Sequence, residues 1–316
     1  ESLIDNDSRA SMFVDAFING QEWADVVGKI GRMEKITKQQ LVDFANKHLN
    51  DNFVCVYKRQ GVDNSIKKVD KPAITPIPTN RDTASVFLKE IQASETTPIK
   101  PRFVDFEKDM TKTEMANGLP VLYKKNTTDG LFPMAFVYDY GTENVKGLDL
   151  MPDYLYYIGT DNKTSAQIKQ EFYKLACDYS ISISDRRTTI SLSGLQENMP
   201  QALTLLEDIL ANAKGDKNSY DKYVDMLLKL RLDSKMSQDA NFSALQLYAF
   251  YGEYNSWLNT FSEAELRAGS PEMLTDMLKP FAELKHTIMY FGPIDVEPFK
   301  ELIAKEHKMA DEPKEA

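Results

Sequence analysis

Through the first fifty residues apolar side chains return at helical spacing, and the pattern predicts three helices. Met12, Phe13, Ala16 and Phe17 make one face, closed by Gly20 as a left-handed cap; Trp23, Val26, Val27 and Ile30 make the next. The third opens on a capping box, Thr37 with Gln40, with Ile36 and Leu41 as the flanking staple, and continues through Phe44, Ala45 and His48. The rhythm then changes. Phe53-Val54-Cys55-Val56-Tyr57 is a near-continuous apolar run, expected as a strand buried on both faces that stops before Gly61. Pro72, Pro76, Pro78, Pro98 and Pro101 break the next stretch into polar runs around one short helical pattern, Val86, Phe87 and Ile91, for which Asn80 is the expected cap. A stretch of this kind reads as a linker between domains.

From residue 103 the period is first that of strands. Phe103–Phe106 and Lys112–Met115 are short runs, Asn117-Gly118 is a two-residue hairpin turn, and Leu119–Tyr123 and Phe132–Tyr140 follow. A helix is predicted over 146–158, starting late or kinked because Pro152 removes a donor, and a second over 165–175. Two alternating strands, 179–183 and 189–193, flank a turn at Asp185-Arg186-Arg187, which reads as a solvated turn, since no glycine-rich cradle adjoins the arginines. Helices follow at 199–213, 218–237 and 271–281, then a strand at 287–291, a helix at 296–305 and a frayed tail at 310–316. The aromatic stretch 241–268, with Phe242, Tyr248, Phe250, Tyr251, Tyr254, Trp257 and Phe261, is expected in the core. Helix 38–49 with strand 53–57 and a glycine echoes helix 271–281 with strand 287–291 and a glycine, which suggests two units of one kind.

Composition narrows the function classes. The net charge of −10 argues against nucleic acid as a partner, because phosphate contacts need clustered Lys and Arg. No apolar run is long enough for a transmembrane span. The opening Glu1-Ser2-Leu3-Ile4 has no methionine and a helical look, so the chain is expected to be cut from something longer. Cys55 and Cys177 sit among apolar neighbours and are expected as buried free thiols; they do not decide between periplasm and cytoplasm. His48, His286 and His307 are far apart in sequence with no acid at ligand spacing, so no metal site is expected within the chain, and His286 is expected to be structural.

The run from Asn117-Gly118-Leu119-Pro120-Val121 to Tyr140-Gly141-Thr142 and Gly147-Leu148, then helix 165–175, strands 179–193 and helix 200–212, resembles the insulinase/pitrilysin-type zinc peptidases. So does the stretch from Ile36-Thr37-Lys38-Gln39-Gln40-Leu41 to Val56-Tyr57-Lys58-Arg59-Gln60-Gly61, which looks like a domain ending in that family. The resemblance implies an α+β fold, a mixed sheet with helices packed on one side, pseudo-repeated as in processing peptidases. It divides the chain into 1–61, the end of one peptidase-like domain; 62–102, a proline-containing linker; and 103–316, an essentially complete second domain. In that family one half carries H-x-x-E-H and a downstream Glu, two imidazoles and a carboxylate holding zinc, while the other half has lost them. Here the matching positions are Leu150, Asp153 and Tyr154, and helix 218–237 contains no glutamate. The resemblance therefore implies no catalytic residue and no metal in this chain, zinc in the parent's other half or in a partner subunit, and a peptide as substrate. The chain reads as the non-catalytic wall of a peptide-degrading chamber; the alternative is a peptidase-fold scaffold or peptide-binding protein without a protease. Glu143, Asp149 and Asp153 read as a solvated helix start rather than an acid–base pair, because Asp149 and Asp153 share a face and repel.

Overall fold

The computed structural model describes residues 5–62, 64–67, 69–77, 83–256 and 258–316. The expectations placed on Glu1–Ile4, on Pro78, on Asn80 as a cap and on Trp257 lie outside those residues. The chain divides into two compact units, Glu1–Pro101 and Arg102–Ala316.

The first unit is helical. It holds α1 (Asn6–Ile18), α2 (Trp23–Val27), α3 (Lys29–Met33), α4 (Lys38–His48) and α5 (Val86–Ala93). The second helix foreseen in the sequence is thus two short ones meeting at Gly28. Gly20 takes φ +61 just past α1, and the capping box of Thr37 and Gln40 forms in both directions. α5 is capped by Ser85, whose hydroxyl accepts from the Leu88 amide at 3.1 Å. The expected strand at 53–57 does not form. Its side chains are exposed, Val54 by 92%, and Cys55 is an exposed thiol rather than a buried one. A strand needs a neighbour to take its backbone groups, and no strand forms among the described residues of this unit. The echo between 38–57 and 271–291 therefore loses its strand on the first side.

The second unit is built on a six-stranded mixed sheet. Its strands are β1 (Thr111–Glu114), β2 (Pro120–Lys125), β3 (Leu131–Tyr138), β5 (Cys177–Ile183), β6 (Thr188–Leu195) and β8 (His286–Gly292), in the order β1-β2-β8-β3-β6-β5; β4 (Gly159–Thr160) and β7 (Ala213–Lys214) pair separately. β2 runs parallel to β8 and the other neighbours are antiparallel. The β1–β2 hairpin turns where Asn117-Gly118 predicts, with Gly118 at φ +80. Phe103–Phe106 forms no strand, because Asp105 organises a turn: its carbonyl accepts from the Lys108 and Asp109 amides and its carboxylate from the Glu107 amide.

Period-two burial gives the sheet two unlike faces. Val121, Tyr123, Ile288, Tyr290, Phe132, Met134, Phe136, Ile190 and Leu192 point to the covered side. There they join the inner residues of α7 (Ser165–Leu175), α8 (Met199–Asn212) and α13 (Val296–Glu306) in one core. The opposite row, Lys112–Leu122–Met289–Ala135–Ser191–Ser180, crosses all six strands in register. None of its members is fully buried.

Before α7 comes α6 (Met151–Leu155); after α8 come α9 (Lys217–Lys235), α10 (Gln238–Tyr251), α11 (Glu263–Ala268) and α12 (Pro271–Thr275), the last continuing as a 3₁₀ turn over Asp276–Ala282 with Pro280 inside it. Pro280 lacks the donor an α-helix needs there, so the helix predicted at 271–281 changes pitch. The tail is pinned rather than frayed: Lys314 exchanges backbone hydrogen bonds with Glu283 and Lys285 at 2.9 and 2.7 Å, and Asn117 holds the Ala310 carbonyl at 2.8 Å.

Candidate functional site

The segment that the resemblance sets against the zinc motif, with Leu150, Asp153 and Tyr154 at the three positions, enters at Gly141. It lies against the turn between β5 and β6, with the Thr142 and Glu143 amides donating to the Ser184 and Asp185 carbonyls at 3.1 and 2.8 Å. A Cβ at Gly141 would stand 2.3 Å from the Ser184 carbonyl oxygen, so only glycine allows this approach. The two arginines of that turn are exposed, Arg186 paired with Glu143 at 3.0 Å and Arg187 with Asp139 at 3.5 Å.

Beyond Gly147, at φ +76, the chain makes a 3₁₀ turn over Leu148–Leu150 and then α6, with Pro152 in its first turn as the late start foreseen. The three motif positions go to different places. Leu150 is buried, and its carbonyl accepts from the Tyr223 hydroxyl at 2.9 Å. Asp153 is exposed. Tyr154 is fully buried, its ring 5.4 Å from that of Tyr223 and 6.0 Å from that of Tyr220. Its hydroxyl has no hydrogen-bond partner among the described residues and presses on Gly215, where a Cβ would meet it at 2.1 Å. Burial pushes the Tyr154 phenol up to about 12, with Asp216 and Glu272 adding to the effect. α9 faces this point with Tyr220, Tyr223 and Val224. A divalent ion needs converging nitrogen, sulfur or oxygen donors; an isobutyl group, a packed phenol and one solvated carboxylate do not fit zinc. Among the described residues no group of three or more His, Cys, Asp or Glu is placed to hold a metal ion.

Asp153 is exposed and Glu143 is tied to Arg186, as at a solvated helix start, whereas partial burial raises the Asp149 carboxyl above its ordinary value. The aromatic stretch departs from expectation except at Phe261, which packs against the core. Phe242, Tyr248, Phe250 and Tyr251 on α10 are exposed, and no residue of that helix is buried. Its apolar side chains lie all around the axis instead of on one stripe, so no single face can be packed away.

Sequence reasoning missed one cluster. His286, at the start of β8, and His307, just past α13, meet Nε2 to Nε2 at 3.0 Å, and His307 Nδ1 stands 2.6 Å from Glu207 Oε1 on α8. All three are at least 95% buried. His286 Nδ1 faces the Leu284 carbonyl at 2.9 Å, so it carries the hydrogen and Nε2 is left to accept. His307 Nε2 must then donate, and its Nδ1 shares one proton with the Glu207 carboxylate, whose other oxygen accepts from the Lys308 amide at 3.2 Å. Phe136 stacks on the His307 ring at 3.9 Å. The three residues come from elements 21 and 100 positions apart, and spacing carries no signal of that kind.

The sequence matches no family model and no curated protein. The structure is similar to the peptidase M16 inactive domain from Pseudomonas fluorescens, with a TM-score of 0.56 and 17% identity over 66% of this chain and 52% of that one. The chain has the M16 peptidase fold. The M16 likeness extends to the periplasmic protease PqqL from Escherichia coli, with a TM-score of 0.55 and 11% identity over 90% of this chain and 30% of that one. It extends also to a mutant of the ferredoxin protease FusC in complex with Arabidopsis ferredoxin, with a TM-score of 0.57 and 9% identity over 99% of this chain and 37% of that one. The chain thus spans about half the length of the first and about a third of the other two.

Proposed function

We propose that this chain is the non-catalytic half of a zinc-peptidase assembly and that the open face of its sheet lines the space in which an extended peptide is held. Residues 1–61 close a preceding peptidase-like domain, 62–102 link, and 103–316 are the second domain. Zinc is held elsewhere, in the parent's other half or in a partner subunit. The observation that carries this reading is that Leu150 and Tyr154 lie in the core, beside a sheet whose second face has no fully buried member in the row Lys112–Leu122–Met289–Ala135–Ser191–Ser180. On its open side Met289 and Phe291 are 42% and 40% exposed, next to Leu122 and Lys124 across β2. Such a face offers apolar contacts at Leu122, Met289 and Phe291 beside the side chains of Lys124, Ser180 and Ser191, which suits an extended peptide.

The reading predicts saturable binding of a labelled, unstructured peptide by fluorescence anisotropy, without cleavage. The double variant Met289→Glu/Phe291→Glu weakens it about tenfold or more, since each apolar contact is worth about 1–2 kcal/mol. Binding that ignores the double variant, or cleavage by the chain alone, contradicts it. An intact parent that binds peptide, lacks metal and cleaves nothing would instead favour the scaffold.

A further inference from the structure

On the covered side of the sheet, away from the face assigned to peptide, a cavity of about 200 Å³ opens between α8, the 3₁₀ turn over Asp276–Ala282 and the start of the C-terminal tail. Its buried floor is Tyr138, Glu207 and His307; Leu210, Leu278 and Phe281 make apolar walls, and Lys308 stands at the mouth. The hydrogen-bond inventory of this floor is unbalanced. Glu207 already accepts on both oxygens, from His307 and from the Lys308 amide. His307 is occupied on both ring nitrogens. Tyr138 is 1% exposed, and among the described residues neither its hydroxyl nor the Lys308 ammonium has a hydrogen-bond or ion-pair partner. Two donors, the Tyr138 hydroxyl and the Lys308 ammonium, are therefore left unengaged among the described residues.

Charge points the same way. The proton shared by Glu207 and His307 leaves that pair neutral in sum, Lys279 at the rim is neutralised by Asp276 at 2.7 Å, and Lys308 remains as an unbalanced cation. A cavity of about 150 Å³ lined by apolar side chains accommodates benzene, so this one admits a single ring carrying a small polar head.

We propose that this cavity binds a small organic anion, a monocarboxylate with an apolar body the size of one aromatic ring, its carboxylate taking the Tyr138 hydroxyl and the Lys308 ammonium while Leu210, Leu278 and Phe281 hold the body. An incoming carboxylate accepts from two donors that have no partner among the described residues, and hydrogen bonds to an ionised acceptor are the stronger kind. A cationic ligand of the same shape meets the Lys308 charge instead. The inference stands on the cavity alone and does not depend on the peptidase reading.

Isothermal titration of the full chain with benzoate tests it, with benzylamine and benzyl alcohol as charge controls of similar shape. Benzoate is expected to saturate at a dissociation constant at or below about 1 mM, the value expected of so small a ligand. Tyr138→Phe and Lys308→Met are each expected to weaken it about 5- to 10-fold. Lys308 is exposed, so its variant separates lost binding from lost folding. The proposal is overturned if benzoate gives no saturable heat, if benzylamine binds as well as benzoate, or if Lys308→Met leaves the benzoate affinity unchanged.

Discussion

Removing the hydroxyl of Tyr154 should make the protein more stable. The side chain is fully buried, and its oxygen has no partner among the described residues. A buried hydroxyl without a hydrogen bond costs about 1–3 kcal/mol. Tyr154→Phe recovers that and leaves a gap the size of one oxygen against Gly215, worth about 1 kcal/mol at most. The net expectation is a gain of about 1 kcal/mol. The two neighbouring tyrosines predict the opposite sign. Tyr220 and Tyr223 donate to the Leu266 and Leu150 carbonyls, each at 2.9 Å, so Tyr220→Phe and Tyr223→Phe strand a buried acceptor and should each cost about 1–3 kcal/mol. Tyr154→His, which puts an imidazole at position 154, should cost about 2–5 kcal/mol, because it trades a packed ring for a smaller polar one. Urea unfolding of the four variants gives the midpoints, and an unchanged m-value shows that stability alone has moved. If Tyr154→Phe proves as damaging as Tyr220→Phe, the hydroxyl has a partner and the motif position is more than packing.

His286 makes stability depend on pH. Burial, with His307 alongside, holds its imidazole at about 4 instead of 6.5, while the Leu284 carbonyl works the other way. The groups facing it are His307, Phe136, Tyr138 and that carbonyl, with Glu207 one step behind. A depressed histidine contributes stability that is complete above about 6.5 and lost as pH falls toward 4. The loss is at most about 3 kcal/mol and is read as a falling unfolding midpoint, with the His286 ring signal titrating in NMR near 4; titration near 6.5 contradicts the burial argument. Gly141→Ala should destabilise the second unit by about 3 kcal/mol, since its Cβ meets the Ser184 carbonyl oxygen at 2.3 Å. Gly31→Ala, in α3 with open space around it, should instead gain about 0.5–1 kcal/mol in the same denaturation assay.

Local chemistry was readable from the sequence wherever it decides structure by itself. The capping box at Thr37, the Asn117-Gly118 turn and the late start at Pro152 all stand where residue type alone placed them. Alternation within 179–183 and 189–193 anticipated the two sheet faces. What failed depended on distant partners. The run 53–57 has a strand's composition, but nothing among the described residues of its unit pairs with it. The aromatics of α10 looked like core because aromatics usually are, yet their spread around the helix prevents it. The absence of motif ligands at 150, 153 and 154 was legible, but the route by which Leu150 and Tyr154 became core runs through Tyr220 and Tyr223, seventy residues away in sequence by the Tyr223–Leu150 bond (separation 73). The Glu207–His307–His286 chain was invisible for the same reason.

The central claim is that this chain holds the fold and not the metal. The decisive measurement is the zinc retained by the full chain after dialysis from micromolar zinc at neutral pH, followed by a fluorogenic-peptide assay with and without a chelator. The account predicts no stoichiometric zinc and no chelator-sensitive cleavage from residues 1–316. A full equivalent of zinc per chain, lost when His286 or His307 is replaced and accompanied by chelator-sensitive cleavage, would contradict it.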